Sequence, residues 1–284
     1  MRSSLNLQET IPIQVAAALR EDIGGGDLTA ALIPAERQGR ATVITREAMV
    51  LCGQPWVDAV FRHIDPKVRV DWRLQDGMLA EPSQTLFSLD GPARSLLTGE
   101  RTALNFLQAL SATATVTRRF VDAIKGTNAV IVDTRKTLPG LRLAQKYAVK
   151  TGGGTNHRIG LYDGVLIKEN HIMAAGGVKQ ALSFAQEITP KGVPIQIEVE
   201  TLDQLRDALD AGAKMILLDN FDLARMREAV KLNAGRSKLE GSGGVNLDTV
   251  RAIAETGVDR ISIGALTKNI NAIDLSMRFI MDKK

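Results

Sequence analysis

Asp133-Thr134-Arg135-Lys136-Thr137-Leu138-Pro139-Gly140-Leu141-Arg142 is the stretch that decides the fold, because here a short apolar run changes abruptly into a cluster of charges. The run before it, Ala129-Val130-Ile131-Val132, has the length and composition of a buried parallel strand. Charges at the carboxyl end of such a strand lie where α/β proteins place their ligands. The stretch therefore predicts a ligand site, and a solvated strand end is the alternative.

Repetition of this pattern along the C-terminal half indicates the fold class. Further apolar runs occupy residues 164–167, 195–197, 215–218, 237–239 and 260–263. Helical patterns lie between several of them, at residues 178–188, 202–211, 223–232 and 247–256. Alternating strands and helices build a parallel sheet. Their spacing favours a closed or nearly closed barrel over an open doubly wound sheet, and no Gly-x-Gly-x-x-Gly follows the first strand to indicate a dinucleotide fold.

The N-terminal part of the chain follows a different pattern, without regular alternation of strands and helices. Strand-like segments occur at residues 40–45, 49–52, 68–74 and 85–89. Helices are predicted at residues 13–20, 55–61 and 96–110; small polar residues at 111–117 separate the last of these from a further helix that ends near residue 124. These segments predict a small antiparallel sheet domain ahead of the barrel.

Composition narrows the class of protein. The chain has 284 residues and a net charge of +4, and no apolar run approaches the roughly 20 residues of a membrane span. The N-terminus lacks the apolar core of a signal peptide, and Cys52 is the only cysteine, so we expect a cytoplasmic protein without an internal disulfide. Aromatic residues are only 4% of the chain and the bases are dispersed, which disfavours nucleic acid and favours a small polyanionic substrate.

Every predicted strand of the barrel is followed by groups suited to a ligand. They are Asp133, Arg135 and Lys136 after the first run, Lys168-Glu169-Asn170-His171 after the second, Glu198 and Glu200 after the third, Asp219-Asn220 after the fourth, Gly241-Ser242-Gly243-Gly244 after the fifth, and Ser262-Ile263-Gly264-Ala265 at the sixth. In a barrel these ends meet at one rim, where active sites lie. The small residues of the last two turns precede helices and predict a phosphate site; tight turns that need glycine are the alternative.

The basic side chains suggest an anionic ligand. Arg135, Lys136, Arg158 and Lys168 would form a basic floor, in which arginine matches carboxylates in a bidentate way and lysine supplies point charge. Lys168 taken alone could instead be a Schiff-base nucleophile. His157 is either a general base or a hydrogen-bond donor, and no second histidine at ligand spacing indicates a metal site.

Two acidic side chains suggest a cation. Glu198 and Asp219 follow neighbouring strands, and two carboxylates that face a phosphate-rich ligand predict Mg²⁺ shared with the substrate. Ion pairs between these acids and the surrounding bases are the alternative.

Four motifs together resemble one known family, the quinolinate phosphoribosyltransferases, also called carboxylating nicotinate-nucleotide pyrophosphorylases. They are Glu100-Arg101-Thr102-Ala103-Leu104-Asn105-Phe106-Leu107-Gln108, the stretch from Asp133 to Arg142, Gly152-Gly153-Gly154-Thr155-Asn156-His157-Arg158, and Lys168-Glu169-Asn170-His171. The similarity extends from about Ala17 to Phe279, in order and with similar spacing. Ser111-Ala112-Thr113-Ala114-Thr115 replaces the family's more common Ser-Gly-x-Ala, a conservative packing change.

The resemblance implies a type II phosphoribosyltransferase with an N-terminal α/β sandwich domain and an incomplete, open α/β barrel of parallel strands. Residues 1–112 would form the sandwich, joined by the C-terminal tail 270–284, and residues 113–269 the barrel with the active site. Such an enzyme joins quinolinate to 5-phosphoribosyl-1-pyrophosphate with Mg²⁺. The products are nicotinate mononucleotide, pyrophosphate and CO₂, a step of NAD synthesis. The family implies at least a homodimer with each site at a subunit interface.

The resemblance also implies roles by position. Quinolinate-side ligands would be Arg135, His157, Arg158 and Lys168, with Lys136 close to both substrates and Arg101 donated by the partner subunit. Glu198 and Asp219 would lie near the ribose and Mg²⁺. The implied substrate-binding residues are Arg101, Thr134, Arg135, Lys136, His157, Arg158, Lys168, Glu198, Asp219, Ser242, Gly243, Gly244, Ser262, Ile263 and Gly264. The implied catalytic residues are Lys136, Lys168, Glu198 and Asp219, none of them a covalent nucleophile.

Other functions remain open at this point. A paralogue could act on another pyridine or pyrimidine acid or be associated with molybdate transport. A non-catalytic phosphosugar-binding protein would keep the glycine turns without needing His157 or Lys168. A retro-aldolase would use Lys168 to form a Schiff base.

Overall fold

The structure, a computed structural model, describes residues 5–280, so residues 1–4 and 281–284 of the two predicted terminal segments lie outside the described residues. Its helices are α1 (Leu7–Ile23), α2 (Gln54–Ile64), α3 (Ala93–Ala123), α4 (Arg142–Thr151), α5 (Glu169–Ala175), α6 (Val178–Ile188), α7 (Leu202–Asp210), α8 (Leu223–Asn233), α9 (Val250–Ala254) and α10 (Ala265–Lys268). Its strands are β1 (Gln38–Thr45), β2 (Met49–Val50), β3 (Arg69–Trp72), β4 (Leu79–Ala80), β5 (Thr85–Pro92), β6 (Val130–Val132), β7 (Val165–Ile167), β8 (Ile195–Val199), β9 (Met215–Asp219), β10 (Lys238–Ser242), β11 (Arg260–Ser262) and β12 (Leu275–Ile280).

A parallel sheet forms from the repeated strand–helix units. Within residues 5–280 its strands follow the order β6-β11-β10-β9-β8-β7, and all neighbouring pairs are parallel. The edge strands β6 and β7 are consecutive in the chain, and a single bridge from Val132 to Thr155 extends the β6 edge. The predicted fold class, an incomplete barrel of parallel strands, is therefore confirmed.

Three of these strands extend further than their apolar runs predicted. β8 continues to Val199, β9 to Asp219 and β10 to Ser242, so Glu198, Asp219 and Ser242 are strand residues and not loop residues. The extension occurs because ladder hydrogen bonds use the backbone, whatever the side chain. The register pairs Ser242 with Asp219, which fixes these two side chains on adjacent strands.

An antiparallel sheet forms from the N-terminal strands and the C-terminal one. Its order is β12-β1-β5-β3, with β2 and β4 as a separate pair. Helices α1 and α2 and the sheet enclose a core whose largest fully buried side chains include Trp56, Phe61 and Phe87. Cys52 is fully buried in this core, and burial raises the pKa of its thiol well above the ordinary value, so it is an inert packing residue.

Helix α3 corrects the predicted break at residues 111–117, because it is one helix of 31 residues. The hydroxyls of Thr113, Thr115 and Thr117 each donate to the carbonyl four residues earlier. Two hydroxyls also serve the adjacent strand: Ser111 Oγ accepts from the Cys52 N–H at 3.0 Å and Thr115 Oγ1 from the Val50 N–H at 2.9 Å. Small polar residues therefore let the helix approach the sheet closely instead of ending it.

The chain divides into two compact units, which differ in detail from the predicted domains. One unit holds residues 119–137 and 154–268, including the parallel sheet; the other holds residues 5–118, 138–153 and 269–280. The predicted boundary at residue 112 falls inside α3, six residues before the observed division. Helix α4 was not predicted and belongs to the antiparallel unit, where Tyr147 packs on Trp56 and donates to Asp76 at 2.8 Å.

Two helices near the carboxyl ends of the parallel strands, α9 and α5, differ from the sequence prediction. The pattern at residues 247–256 yields only the five-residue α9, because Asn246 first forms a capped turn with the N–H groups of Asp248 and Thr249. Lys168 follows β7 directly and is the N-cap of α5, so the motif from Lys168 to His171 is the cap and first turn of a helix. Its turn is closed by the Lys168 N–H, which donates to His171 Nδ1 at 3.0 Å.

Candidate active site

A cavity of about 730 Å³ lies at the carboxyl ends of the parallel strands, within the parallel-sheet unit. The structure brings together here every residue that the resemblance implied as substrate-binding except Arg101. Of the other groups at the predicted strand ends, Asp133, Glu169, Asn170, His171, Glu200 and Gly241 do not line the cavity. The lining residues are Thr134, Arg135, Lys136, His157, Arg158, Leu166, Lys168, Glu198, Leu217, Asp219, Asn220, Glu240, Ser242, Gly243, Gly244, Val245, Ser262, Ile263, Gly264, Ala265 and Lys268. Arg101 is exposed on α3 in the antiparallel unit and is not among them.

Asp133 anchors one wall of the cavity and is not a ligand. Its carboxylate is fully buried, accepting from Asn156 Nδ2 at 2.6 Å and from the His157 N–H at 2.8 Å. The following turn is closed by the Lys136 N–H to Thr134 Oγ1 at 3.1 Å. The buried acid therefore fixes the segment that carries His157, while the residues after it are left to face the cavity.

The guanidinium groups of Arg135 and Arg158 both line the cavity, close enough for one to affect the charge of the other. Burial and the nearby Arg135 guanidinium lower the pKa of Arg158, and Asp163 opposes this shift. One nitrogen of Arg158, Nη1, donates to the Gly164 carbonyl at 2.9 Å, which fixes the side chain. Like charges held close together are unfavourable until an anion joins them, so this pair is suited to a carboxylate ligand.

His157 is held as the neutral tautomer with its proton on Nε2. Its Nδ1 accepts the backbone N–H of Arg158 at 2.8 Å, so that nitrogen carries a lone pair. Nε2 lies 2.7 Å from Gln196 Oε1, an acceptor, and is therefore the protonated nitrogen. Of the two roles predicted for His157, this geometry matches a hydrogen-bond donor, here to Gln196.

The two predicted acids form a partly shielded negative pair. Burial raises the pKa of Glu198, Lys168 opposes the rise, and the charges of Asp219, Glu169 and Glu200 add to it. Lys168 Nζ lies 3.8 Å from Glu198 Oε2, a loose ion pair. Asp219 Oδ2 accepts from Asn220 Nδ2 at 3.0 Å.

The donor set bears on the predicted Mg²⁺. Among residues 5–280 no group of three or more His, Cys, Asp and Glu side chains has the geometry to hold a metal ion by itself. Glu198 and Asp219 fit the way Mg²⁺ usually binds, through one or two carboxylates together with waters and substrate phosphates. The residues present therefore fit an ion that arrives with its substrate.

The glycine turn after β10 has a backbone that a larger residue would disturb. Gly243 has a φ of +103°, and a Cβ there would collide with the Asn220 side chain. Asn220 itself has a φ of +53°, a left-handed conformation that asparagine tolerates better than most residues. At the next turn, a Cβ on Gly264 would lie 3.0 Å from Lys136 Cδ. These turns leave room for a ligand to approach the backbone closely.

Helix dipoles contribute less to anion binding at these two turns than the sequence predicted. α9 has five residues and begins at Val250, well after Gly244, and α10 has only four residues. Short helices have small macrodipoles, so an anion here would depend on backbone N–H groups and nearby cations such as Lys136.

Glu240, Gln196 and Lys268 are polar residues at or beside the cavity that sequence reasoning missed. Glu240 lines the cavity, and Gln196 contacts His157 from β8. Gln196 and Glu240 lie two residues before Glu198 and Ser242 on β8 and β10, and so share the inward face with them. Gln196 interrupts the apolar run predicted at residues 195–197, whereas Glu240 follows the run predicted at residues 237–239 and gave no such signal.

Comparison with known proteins assigns the chain to a family. The family model "Quinolinate phosphoribosyl transferase, C-terminal domain" matches residues 113–278, and the corresponding N-terminal domain model matches residues 27–111. This chain belongs to the quinolinate phosphoribosyl transferase family. A probable nicotinate-nucleotide pyrophosphorylase [carboxylating] of Bacillus subtilis is 41% identical over 257 residues, covering 90% of this chain and 89% of the relative. The Mycobacterium leprae relative is also 41% identical and covers 93% of this chain and 95% of its own.

Solved structures of the family share the fold. The nicotinate-nucleotide pyrophosphorylase of Francisella tularensis superposes with a TM-score of 0.93 at 45% identity, covering 96% of both chains. NadC of Streptococcus pyogenes gives a TM-score of 0.94 at 36% identity, covering 99% of this chain and 100% of its own. The antiparallel domain and the parallel sheet with helices are thus the family architecture.

Proposed function

We propose that this chain is a decarboxylating quinolinate phosphoribosyltransferase, which joins quinolinate to 5-phosphoribosyl-1-pyrophosphate and releases pyrophosphate and CO₂ to give nicotinate mononucleotide for NAD synthesis. The observation that carries the proposal is one cavity with arginines on one wall, two acids at neighbouring strand ends and two glycine turns. Relatives that carry these enzyme names match the chain over nearly its full length.

The arginine wall suits the acid substrate. Quinolinate carries two adjacent carboxylates, and Arg135 and Arg158 supply two cationic forks close enough to affect each other's charge. Lys168 adds a donor on the same side of the cavity, and the ring of His157, whose Nε2–H is taken by Gln196, lies beside it. The cations therefore neutralise the dianion and orient its ring, which is a positioning role.

The acids and glycine turns suit the sugar phosphate. Ser242, Gly243 and Gly244 form one turn, and Ser262, Ile263 and Gly264 the other, where backbone N–H groups can meet phosphate oxygens. Glu198 and Asp219 would lie beside the ribose. As pyrophosphate leaves, positive charge develops on the ribose, and carboxylates fixed in a shielded site stabilise it.

The reaction then needs no covalent bond to the protein. The pyridine nitrogen supplies the electron pair for the new bond to ribose C1, and the C1–O bond to pyrophosphate breaks. The nitrogen is now cationic, so the bond from C2 to its carboxylate can break with its electron pair left on C2 and CO₂ released. A proton then adds to C2. Lys136 and Lys168 are proposed to hold the charges of both substrates through these steps, and trapping of a ribosyl adduct on the protein would contradict the scheme.

Mg²⁺ is part of the proposal, held between Glu198, Asp219 and the pyrophosphate of the substrate. When bound it would neutralise the charge that builds up on the leaving pyrophosphate. The support is the donor set: two carboxylates at neighbouring strand ends, one of which has its pKa raised by burial and by nearby acids.

A cytoplasmic location is likewise proposed, supported by the single, buried and unpaired thiol of Cys52.

A homodimer with shared sites is proposed from Arg101. This arginine is exposed on α3 and lies in the motif that resembles the family's donated arginine. If each subunit lends Arg101 to its partner's cavity, Arg101→Ala and Lys168→Ala chains are each inactive, but a mixed dimer has one intact site. Random reassortment of equal amounts should then restore about a quarter of the wild-type activity. If no activity returns after confirmed subunit exchange, Arg101 acts in its own subunit's site and the shared-site proposal is wrong.

Selectivity between two pyridine acids tests the proposed substrate. The protein should turn over quinolinate with 5-phosphoribosyl-1-pyrophosphate and leave nicotinate, which lacks the 2-carboxylate, unreacted. Preference for nicotinate or for a pyrimidine acid would assign the chain to a paralogue with another substrate. Binding of the sugar phosphate without turnover of any acid would indicate a non-catalytic binding protein.

A further inference from the structure

A polar layer lies inside the parallel sheet, directly beneath the residues that bear the proposed chemistry. It consists of Gln196, Glu240 and Arg260, each two residues before a cavity-lining residue of its strand and therefore on the same inward face. Gln196 is 3% exposed and Glu240 1%. The interior of a parallel barrel is ordinarily filled by apolar branched side chains, so charge at this depth calls for a reason.

The contacts of this polar layer converge on one ring nitrogen. Glu240 and Arg260 are paired in register on β10 and β11, and Glu240 Oε2 lies 3.4 Å from Arg260 Nε. Glu240 Oε1 lies 3.8 Å from His157 Nε2, and Gln196 Oε1 lies 2.7 Å from the same atom. His157 Nε2 thus lies between the Gln196 amide oxygen, which accepts its hydrogen bond, and the Glu240 carboxylate, whose negative charge favours a proton on this nitrogen.

The polar layer is not arranged for maximum stability. Within residues 5–280 the two oxygens of Glu240 and Nε2 of Gln196 have no hydrogen-bond partner, although all three atoms are buried. Buried polar atoms without partners are destabilising, and a buried ion pair is often no more stable than an apolar replacement. A layer of this kind is retained more readily where it fixes the geometry of a functional group.

The polar layer fixes the ring of His157, and the His157 ring in turn fixes Arg158. The Gln196 oxygen requires the proton on Nε2, and the Arg158 N–H requires the lone pair on Nδ1, so the two contacts select the same tautomer and ring orientation. Arg158 follows directly in the chain, and its guanidinium is then set by the Gly164 carbonyl. A shift of the imidazole would carry the Arg158 backbone with it.

We propose that Gln196, Glu240 and Arg260 are positioning residues that hold His157 as its Nε2–H tautomer and so place Arg158 for the acid substrate. They act through His157 and leave the sugar-phosphate end of the cavity unchanged. This inference rests on the proposed function for its kinetic readout, but the tautomer of His157 can be measured without any substrate.

Two measurements test the proposal. In protein with ¹⁵N-labelled histidine, His157 should show a pyrrole-like Nε2 and a pyridine-like Nδ1, and Gln196→Met, which keeps the side-chain length but removes the acceptor, should broaden or mix these signals. Gln196→Met should also raise KM for quinolinate about tenfold, the size expected for one buried hydrogen bond, while kcat and KM for 5-phosphoribosyl-1-pyrophosphate stay within about twofold. Gln180→Met on the exposed face of α6 is the matched control and should change neither.

A double-mutant cycle separates positioning from general packing. If the polar layer acts through His157, then Gln196→Met or Glu240→Gln adds no further increase in KM for quinolinate in a His157→Ala background. Additive effects, or equal increases in both KM values, would overturn the proposal, as would a wild-type His157 with its proton on Nδ1. If the wild type fails to turn over quinolinate at all, the proposed function fails instead, and the tautomer measurement still decides the inference.

Discussion

Two partly buried acids, one in each unit, show how differently the two regions use charge. Asp76, in the antiparallel unit beside a recess of about 550 Å³, accepts from the N–H groups of Gly53 and Gln54 and from Tyr147 Oη. Among the described residues 5–280, Glu198, at the rim of the parallel sheet, has only the loose ion pair with Lys168 at 3.8 Å. Burial raises the pKa of both acids. Asp76 thus finds its donors within its own unit, whereas under the proposed function Glu198 faces the ligand.

The same contrast holds for the other polar groups of the two regions. In the antiparallel unit Ser111 and Thr115 bond the backbone of the adjacent strand. At the cavity, the buried carboxylate oxygens of Glu240 have no hydrogen-bond partner within the part of the chain that the structure describes, although an ion pair joins Glu240 to Arg260. Incompletely bonded acids therefore occur at the proposed functional site, whereas Asp76 in the other unit is hydrogen-bonded by its own chain.

Replacing Lys168 at the cavity should have the largest effect on activity. Lys168→Ala is expected to lower kcat/KM by about 10²–10³-fold, because a cation in the shielded site is lost. Stability should change little, since the side chain is about half exposed and its ion pair is loose. Steady-state kinetics and thermal unfolding measure the two quantities. Lys179→Ala, which breaks an exposed pair with Asp207, is the control and should leave activity intact.

Neutralising Glu198 should separate activity from stability. Glu198→Gln is expected to lower kcat about 100-fold by removing a charge that stabilises the developing cation. Because the pKa of Glu198 is raised in the folded protein, its charged form opposes folding, and its contribution to stability is lost as pH rises through that pKa. The variant should therefore gain melting temperature relative to wild type at pH 8 and less at pH 5. A variant less stable than wild type at pH 8 would show that Glu198 is structural.

Removing Asp76 should have the opposite effect, lowering stability while leaving activity unchanged. Asp76→Ala leaves the Gly53 and Gln54 N–H groups and Tyr147 Oη without their acceptor, so we expect a loss of about 2–4 kcal/mol in the free energy of unfolding. The folded fraction, assayed well below its melting temperature, should keep wild-type KM values for both substrates. Urea unfolding with kinetics on the same sample checks this, and a selective rise in one KM would contradict the division of roles.

The smallest effect is expected from one buried hydroxyl. Thr115→Val keeps the shape of the side chain but leaves the Val50 N–H unpaired beside α3. The expected loss is about 1–2 kcal/mol of unfolding free energy, with no change in kcat. Thr98→Val, at a partly buried hydroxyl that donates to Asp27, is a comparison at the same helix, and a smaller loss there would show that burial sets the size of the effect.

The strands and the rim were accessible from sequence, and some helices were not. Apolar runs located β6 to β11 because buried parallel strands need them, and the strand-end rule then gathered Arg135, Lys168 and Asp219 at one rim. The continuity of α3 was missed because runs of serine and threonine resemble a loop until their hydroxyls find carbonyls one turn back. Helix α4 was missed because it buries polar side chains, Gln145 and Lys146, which makes its sequence look exposed.

The polar layer could not be found from the strand-end rule. Glu240 and Gln196 lie inside strands, and their neighbourhood depends on which strands become adjacent in the sheet. A polar residue in a strand interior indicates either an exposed face or a buried network, and only the packing of β8, β10 and β11 around His157 distinguishes the two.

One stoichiometry tests the central claim most directly. Wild-type protein incubated with quinolinate, 5-phosphoribosyl-1-pyrophosphate and Mg²⁺ should release CO₂ and pyrophosphate in equal amounts, matched by nicotinate mononucleotide. Pyrophosphate without CO₂, or neither product from a protein that is folded and binds both compounds, would contradict the assignment of the cavity to this reaction.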